Sequence, residues 1–507
     1  MNRRTFLRLA GVASATALAG CDQANTPRAG STTAARASAG GDRARLILAR
    51  DPEVVARELR RAIPRSGTEH RSLRAAAAEI DIGGRTVQTW AYDGQLPGPI
   101  LRAELGDTLA VRVSNELPEA TTVHWHGLTL RNDMDGIHDR NQHAIEPGST
   151  FPYSFVVDAP GTYWYHSHVG LQADRGLYGP LIVDDPRDIG RYDSEHIVML
   201  DDWIDGVGPT PDEVYKLLHQ PIDRSNPSPW IAKFRSDDLA GDAGSINYPL
   251  HLINGRPTTD RPTFSVQSGT RVRLRIINAA AETAYRFGVG GLQMTVVHTD
   301  GYEVEPVIVD ALLIGPGERY DVTVDVSSGS WALIALPSGK PGRAEAILRT
   351  RDHALSSHDT PPEVAATLQS GRLLHYSDLK ATPDTQLNFT RADSTHEISL
   401  TGSNARFHWG INGEAMGNNG AITVHQGERA RLTITNTTSL WHPMHLHGHT
   451  FRLGTSRNGP RKDTVIVKPG DQFSFDVLCD NPGQWMLHCH NAYHFQSGMS
   501  IPFSYER

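Results

Sequence analysis

Three segments of the sequence repeat one pattern, and this repeat limits the fold more than any other feature. Each segment has a Gly, apolar residues three, five and seven places later, and an Asn nine places after the Gly. Because successive side chains of a β-strand point to opposite faces, this period of two predicts a half-buried strand in each copy. The segments read GDTLAVRVSN (106–115), GTRVRLRIIN (269–278) and GERARLTITN (427–436).

A second repeated segment follows the first in each copy. It has a Pro-Gly pair, an alternating apolar run, and then a Gly with an aromatic residue two places on, at Tyr163, Trp331 and Trp485. From about residue 75, short alternating runs are broken by Gly, Pro, Asn and Asp, as is typical of β-sandwiches. The sequence therefore predicts an all-β protein with three consecutive copies of one sandwich.

Length and composition agree with three folded domains. The 507 residues are 38% apolar and 21% charged, which is typical of globular proteins. The net charge of −8 gives no sign of nucleic-acid binding. We expect the sandwiches at 75–188, 189–352 and 395–507, a linker at 353–394, and a tether with one helix at 22–74.

The first 21 residues are expected to be an export signal and not part of the fold. Arg3 and Arg4 form a twin arginine, and an apolar run too short to span a bilayer follows and ends in LAGC at Cys21. This segment resembles a twin-arginine lipoprotein signal, cleaved before Cys21 and lipidated on its sulfur; a plain secretory signal is the alternative. Both predict an exported protein, in the periplasm or on the outer face of the cytoplasmic membrane. A lipid at Cys21 would be its only membrane contact.

The copies differ at positions where two of them carry paired histidines. Copy two has no histidine there, but Phe287, Val289, Ile334 and Leu336. Because residues i and i+2 of a strand share one face, each His-x-His pair points both imidazoles to one side. Copies one and three therefore predict two half-sites that face each other. The eight histidines are His124, His126, His166, His168, His445, His447, His488 and His490.

The segment HCHNAYHFQSGM (488–499) places a cysteine between two of these histidines. Strand alternation aims Cys489 away from the site of its neighbours and toward a second site. His494 and Met499 follow at intervals of five residues. A thiolate, an imidazole and a thioether, with one more histidine, are the ligands of an electron-transfer copper site, and His442 is the obvious fourth ligand.

The ligand types favour copper and a free thiolate. Eight imidazoles without carboxylates suit copper better than magnesium, calcium or manganese. A soft thiolate binds copper as the anion, so Cys489 is expected to be neither protonated nor in a disulfide. Cys479 is expected to face the third-domain core as a small apolar residue, and a methionine such as Met499 has core filling as its alternative role.

Four motifs, HWHG, HSH, HPMHLHGH and HCHNAYHFQSGM, resemble in type and order the copper motifs of the multicopper oxidases, the family of laccases, ascorbate oxidase and bacterial cuprous oxidases. The resemblance implies three cupredoxin-like Greek-key domains and four copper ions per chain. It implies a type 1 copper at His442, Cys489, His494 and Met499, and a type 2 copper at His124 and His445. The type 3 pair would be held by His126, His166, His168, His447, His488 and His490.

The resemblance also implies the reaction. A phenol, an aromatic amine or Cu(I) would give single electrons to the type 1 site, and Cys489 with His488 and His490 would carry them inward. Four electrons would reduce O2 to water at the cluster between the first and third domains. A role in copper tolerance and a monomeric state are further expectations.

Asp135, in the segment NDMDG, is expected to assist the cluster. An Asp-Gly pair is a common turn. Family members carry an acid at the matching place, where it relays protons and orients histidines, and this implies the same for Asp135. The chain departs from many bacterial relatives in having Phe495, and not Glu, after the last type 1 histidine. Proton supply is therefore expected to depend on Asp135 or on another route.

The electron donor and one alternative function stay open. Only eight methionines occur, spread along the chain, which weakens the prediction of a dedicated Cu(I) docking segment. A non-catalytic copper-binding protein on the same fold is the alternative, but it would be expected to lose at least one His-x-His pair.

Overall fold

The computed structural model describes residues 45–61, 67–221, 227–353, 368–389, 391–405 and 407–507. The expected export signal, with Arg3, Arg4 and Cys21, lies outside the described residues, as do residues 22–44 and 62–66 of the expected tether and residues 354–367 and 390 of the expected linker. Among the described residues, no helix is long and apolar enough to cross a membrane.

The first sandwich packs two four-stranded sheets, in the orders β2-β1-β4-β6 and β3-β8-β7-β5. Its core includes Trp125, whose ring lies 5.2 Å from the rings of both Tyr153 and Phe155. A helix, α1 (Pro52–Arg61), precedes it. The strands are β1 (Thr68–Ile82), β2 (Arg85–Tyr92), β3 (Leu101–Glu104), β4 (Thr108–Asn115), β5 (His124–His126), β6 (Thr150–Val156), β7 (Gly161–His166) and β8 (Tyr178–Asp184).

The second sandwich has sheets of seven and five strands, in the orders β13-β12-β9-β15-β20-β17-β18 and β14-β22-β21-β16-β19, and a separate β10-β11 hairpin. Helix α2 (Pro211–Leu218) lies between β9 and β10. The strands are β9 (Ser194–Trp203), β10 (Ile231–Ser236), β11 (Gly241–Ile246), β12 (Leu250–Ile253), β13 (Arg256–Pro257), β14 (Thr263–Val266), β15 (Thr270–Asn278), β16 (Tyr285–Val289), β17 (Met294–Thr299), β18 (Tyr302–Val309), β19 (Leu312–Ile314), β20 (Arg319–Val326), β21 (Ser330–Pro337) and β22 (Ala344–Thr350).

The third sandwich has sheets of six and five strands, in the orders β24-β23-β26-β31-β28-β29 and β25-β33-β32-β27-β30. Helix α3 (Ala492–Gln496) follows β32. The strands are β23 (Ser394–Ser403), β24 (His408–Ile411), β25 (Ile422–His425), β26 (Arg429–Asn436), β27 (His442–Leu446), β28 (Phe451–Leu453), β29 (Arg461–Lys462), β30 (Thr464–Val467), β31 (Gln472–Leu478), β32 (Gln484–Cys489) and β33 (Ser500–Glu506).

The repeated sequence segments occupy equivalent places in the three sandwiches. The strands β4, β15 and β26 each pair in parallel with the first strand of their sandwich, which is β1, β9 or β23. Each also pairs antiparallel with a later strand, β6, β20 or β31. The expectation of three copies of one β-sandwich is confirmed.

The repeated asparagine has a structural role. The Asn115 side-chain amide donates to the carbonyl oxygens of Glu119 (2.8 Å) and Ile145 (2.7 Å). Asn278 and Asn436 make the same pair of bonds, to a carbonyl a few residues later and to a distant strand. Because all three are buried, the amide satisfies backbone carbonyls that would otherwise lack a partner. The asparagine therefore anchors the loop that follows each repeated strand.

Candidate metal centre

The histidine pairs of the first and third sandwiches occupy matching strand registers. In the first sandwich, His124 on β5 lies opposite His166 on β7. In the third, His445 on β27 lies opposite His488 on β32. Each sandwich therefore presents its two pairs from neighbouring antiparallel strands.

The two half-sites face each other, as the sequence predicts. The rings of His126 and His445 stack with centroids 3.8 Å apart, and those of His124 and His447 lie 3.9 Å apart. His168 lies 5.2 Å from His488 by the same measure. Seven of the eight side chains are buried, and His490 is half-buried with both of its ring nitrogens buried. The structure therefore brings the eight histidines into one cluster between the first and third sandwiches.

The second sandwich also reaches the cluster, through a glycine. At Gly317, whose φ is +88°, a Cβ atom would lie 2.9 Å from His490 Cδ2 and 3.0 Å from His126 Cε1. A side chain there would push the two imidazoles apart, and the positive φ itself favours glycine. Copy two carries no histidine at the repeat positions, but the second sandwich does shape the site.

Backbone carbonyls fix the tautomer of four of these rings. A carbonyl oxygen only accepts, so each ring nitrogen beside one carries the hydrogen and leaves the lone pair on Nε2. These Nδ1 atoms donate over 2.8–3.0 Å. The donor and acceptor pairs are His124 with Asp135, His166 with Ser167, His445 with Asp463, and His488 with Cys489.

The inward-facing nitrogens fit a bound metal. Nε2 of His124, of His166 and of His445 is buried without a hydrogen-bond partner among the described residues. His447 Nε2 lies 2.9 Å from His488 Nε2, although both rings hold their hydrogen at Nδ1. Two lone pairs at this distance repel each other, and a cation would satisfy both. Clustered, neutral, buried imidazoles are the donor set that suits copper.

Burial favours the neutral form of seven of these imidazoles. It lowers the pKa of His126, His166, His168 and His447 well below the usual value, and the positive charge of neighbouring rings lowers it further. The pKa values of His445, His488 and His490 are lowered by the same cause. A neutral imidazole is the form that binds a metal.

Asp135 contacts both halves of the cluster. Its Oδ2 accepts from His447 Nδ1 (3.0 Å), and its Oδ1 lies 3.2 Å from His124 Nδ1, which donates to the Asp135 carbonyl. Asn141 Nδ2 donates to Oδ2 over 3.2 Å. The side chain is fully buried. The structure thus places Asp135 where it orients one histidine from each sandwich, as its sequence position implies.

A second buried carboxylate, that of Asp463, also contacts the cluster, and no sequence motif predicts this contact. Its Oδ1 lies 3.1 Å from His126 Nε2 and 3.4 Å from His445 Nδ1. Arg319 donates to both carboxylate oxygens over 2.7 Å, and this guanidinium holds the pKa of Asp463 well below its usual range despite burial. His126 therefore turns Nε2 to Asp463, and its other nitrogen, Nδ1, is the buried atom left for a ligand.

A second site lies beside the cluster. Cys489 Sγ is 3.7 Å from His442 Nδ1 and 3.6 Å from His494 Nδ1, and these two nitrogens lie 3.1 Å apart. His442 Nε2 is held by Thr438 Oγ1 at 2.9 Å. Burial raises the pKa of the Cys489 thiol, so a thiolate there requires a cation nearby. The structure therefore brings together the thiolate and both imidazoles predicted for a mononuclear copper site.

Met499 and the two cysteines in the described part of the chain are all buried. Met499 is buried, and its carbonyl accepts from the Cys489 backbone N–H over 3.0 Å, which places the two residues side by side. Cys479 lies in the third-sandwich core, where burial raises the pKa of its thiol to about 12. Neither cysteine in the described part of the chain forms a disulfide.

One strand end connects the two sites. Cys489 closes β32, His488 precedes it within the strand, and His490 follows it. The backbone N–H of His490 donates to the Pro443 carbonyl over 2.6 Å, next to His442. Few covalent bonds therefore separate the thiolate site from the cluster.

Comparisons with known proteins agree with this arrangement. Three family models described as multicopper oxidase match residues 75–188, 231–353 and 384–507. A multicopper oxidase from Mycobacterium tuberculosis, MmcO, is 42% identical over 513 aligned residues, which cover 99% of this chain and 96% of the relative. A copper resistance protein A homolog from Pseudomonas syringae pv. tomato is 30% identical, over 86% of this chain and 92% of that one.

Solved structures give the same result. A laccase from Botrytis aclada superposes with a TM-score of 0.71 at 25% identity, covering 87% of this chain and 88% of its own. A multi-copper oxidase from Pseudomonas thermotolerans gives a TM-score of 0.66 at 26% identity, covering 87% and 100%. The expected cupredoxin-like fold is confirmed. The chain belongs to the multicopper oxidase family and is a copper-dependent oxidase that uses O2 as its electron acceptor.

Proposed function

We propose that this protein is an exported oxidase that couples one-electron oxidation of small reductants to the four-electron reduction of O2 to water. The reductants are phenols, aromatic amines or Cu(I), and a role in copper tolerance follows if Cu(I) is among them. The observation that carries the proposal is Cys489, which belongs to one site while its two neighbours in the chain belong to the other.

The ligand sets support four copper ions per chain. His442, Cys489, His494 and Met499 would hold one ion. The eight histidines would hold three more, with His124 and His445 at one ion and the remaining six at a pair. Bound copper would supply one-electron redox chemistry at both sites.

The residues around the sites have separate tasks. Asp135 and Asp463 fix ring orientations, and the backbone from His488 to His490 offers a short path between the sites. Burial of both sites excludes bulk water. Because the thiolate site and the histidine cluster are separate, the electron donor stays away from the position where O2 is reduced.

Oxygen uptake by the copper-loaded protein tests the reaction. We expect uptake with Cu(I) or a simple phenol as sole donor, four donor electrons per O2, and no released peroxide. Cys489→Ser should abolish uptake and lower the copper content from four ions to three. Cys479→Ser, the second buried cysteine, is the matched control and should keep both. If uptake is absent with both donors, the protein binds copper without catalysis.

The ratio between donors assigns the physiological role. Faster turnover with Cu(I) than with phenol would support copper detoxification, and the reverse would support a laccase. Similarity to copper resistance proteins favours the first.

Localisation is part of the proposal and has its own test. Replacing Arg3 and Arg4 by Lys should hold the protein in the cytoplasm. Cys21→Ser should still allow export but release the protein from the membrane fraction. A Cys21→Ser protein that stays membrane-bound would contradict the lipid anchor.

A further inference from the structure

A small crevice beside the histidine cluster is lined by residues of all three sandwiches. It has about 40 Å³ of space accessible to water, which is room for a few water molecules. Most of its lining is histidine, alanine or aromatic. Asp174 is the only carboxylic acid among the residues that line it.

The Asp174 carboxyl group is asymmetric. Its Oδ2 accepts from Tyr493 Oη over 2.6 Å and from Tyr248 Oη over 3.3 Å. Its Oδ1 is buried and has no hydrogen-bond partner among the described residues. Because Oδ2 is engaged by hydroxyl donors, a proton on the carboxyl group would reside on Oδ1.

The surroundings favour the neutral acid. Burial is the main cause that raises the pKa of Asp174 well above its usual value, and the charges of Asp202, Asp201 and Asp205 raise it further. The Tyr493 hydroxyl acts in the opposite direction but is the smaller effect.

The charged and titratable groups around Asp174 come from several elements. Asp201 and Asp202 lie on β9 and Asp205 follows it, Tyr493 lies on α3, and Tyr248 follows β11. Two cations belong to the same surroundings: Lys340, which pairs with Glu282 at 2.6 Å and lies 5.4 Å from the Tyr248 ring, and Arg175, which pairs with Asp205 at 3.3 Å.

Phe495 also lines the crevice and gives it an apolar surface beside the histidines. The ring of Phe495 lies 4.9 Å from His168 and 4.8 Å from His488. Phenylalanine has no proton to give. Asp174 is therefore the carboxylic acid of the crevice lining that can release a proton to water there.

We propose that Asp174 is the proton-relay residue that serves the histidine cluster through this crevice. The protonated carboxyl group gives a proton to a crevice water, and the carboxylate then regains a proton from solvent. This inference rests on the proposed function, because reduction of one O2 to two waters consumes four electrons from the donor and four protons from the medium. Asp174 regains its proton in each cycle, so the reaction consumes only the electrons, the protons and O2.

The protonation state can be tested without copper. In the metal-free protein, infrared difference spectra between wild type and Asp174→Asn should show one protonated carboxyl C=O band that is lost in the variant. The band should shift on transfer to D2O, because the proton exchanges with crevice water. Absence of the band at neutral pH would overturn the proposal.

The relay is tested on the copper-loaded protein in two half-reactions. Anaerobic reduction of the thiolate site, followed by its visible absorption, should be unchanged in Asp174→Asn. Reoxidation of the fully reduced protein by O2 should slow by about ten- to a hundredfold above neutral pH, the usual range for loss of a general acid. The two rates should converge at low pH, where solvent protons are abundant.

Two further variants separate proton transfer from support of the fold. Asp174→Glu keeps the acid and should restore most of the reoxidation rate. Tyr493→Phe removes the 2.6 Å hydrogen bond but keeps the acid, so it should reoxidise faster than Asp174→Asn. If Tyr493→Phe slows reoxidation as much as Asp174→Asn, the carboxyl group is structural and the proposal is wrong.

The outcomes also separate this inference from the proposed function. Wild-type protein that does not reduce O2 to water would refute both. Wild-type protein that does so, with Asp174→Asn reoxidised at the same rate at every pH, would refute the relay alone.

Discussion

The carboxylate oxygen Oδ2 of Asp135 lies 3.0 Å from Nδ1 of His447, so a residue of the first sandwich holds a histidine of the third. The same side chain approaches His124 of its own sandwich. A single buried acid thus sets the orientation of rings on both sides of the domain interface, and the cluster forms only when the two sandwiches are docked.

The first prediction concerns this carboxylate. Asp135→Ala should lower copper occupancy of the histidine cluster and reduce O2 uptake by about 10- to 100-fold, the usual effect of removing a residue that orients a metal ligand. The visible absorption of the thiolate site should stay, because Asp135 does not contact Cys489, His442 or His494. Metal analysis, absorption spectra and oxygen uptake are the measurements.

Asp139→Ala is the matched control, because Asp139 is an exposed acid four residues later in the same loop. It should keep wild-type copper content and uptake. Full copper occupancy with full activity in Asp135→Ala would show that backbone contacts alone orient the cluster.

The sequence predicts which histidines come together because local periodicity determines the face of the strand on which each one lies. Period-two alternation shows that His488 and His490 share a face, and comparison between copies shows which strands are equivalent. Cys489 and the second site follow from the same rule. These are features of neighbouring residues, so one sequence is enough to detect them.

The supporting residues do not follow from local patterns. Arg319 and Asp463 are 144 residues apart and form a pair only after the second and third sandwiches dock. Asp174 sits in the segment QADRG, where nothing in its spacing signals a buried acid. Asp135 is found by its position after HWHG, which required a family resemblance. Contacts between residues that are far apart in the sequence therefore could not be predicted from the sequence alone.

The second prediction concerns the Arg319–Asp463 pair. Both side chains are fully buried, and the guanidinium makes two bonds of 2.7 Å to the carboxylate. Arg319→Met would leave Asp463 charged and unpaired, so we expect the free energy of unfolding of the copper-free protein to fall by about 3–5 kcal/mol. Urea unfolding measures this change.

An exposed pair provides the comparison. Arg271 also contacts a carboxylate, Asp325, through two bonds of 2.8 and 3.2 Å. Water screens this pair, so Arg271→Met should cost no more than about 1 kcal/mol. Equal losses in the two variants would contradict the argument from burial.

The third prediction concerns Met499. Met499→Leu conserves volume and should cost less than about 1.5 kcal/mol of stability. If the thioether is the weak axial ligand of the thiolate copper site, its loss should raise the reduction potential, because a donor to the oxidised ion is removed. Redox titration of the visible absorption measures the potential. Met294→Leu, in the core of the second sandwich, should leave it unchanged; a potential that stays constant in both variants would assign Met499 to core filling.

The last prediction is a pH dependence of stability in the copper-free protein. Burial lowers the pKa of His442 to about 3, whereas an unfolded histidine titrates near 6.5. Between these values the unfolded chain binds a proton at His442 and the folded chain does not, so the free energy of unfolding falls as the pH falls, by about 1.4 kcal/mol per pH unit for this residue. Urea unfolding between pH 6.5 and 4.5 should therefore show a shallower pH slope in His442→Gln than in wild type. His408→Gln, at an exposed histidine on β24, should keep the wild-type slope. A His442→Gln slope equal to that of wild type would mean that the folded protein already protonates this ring.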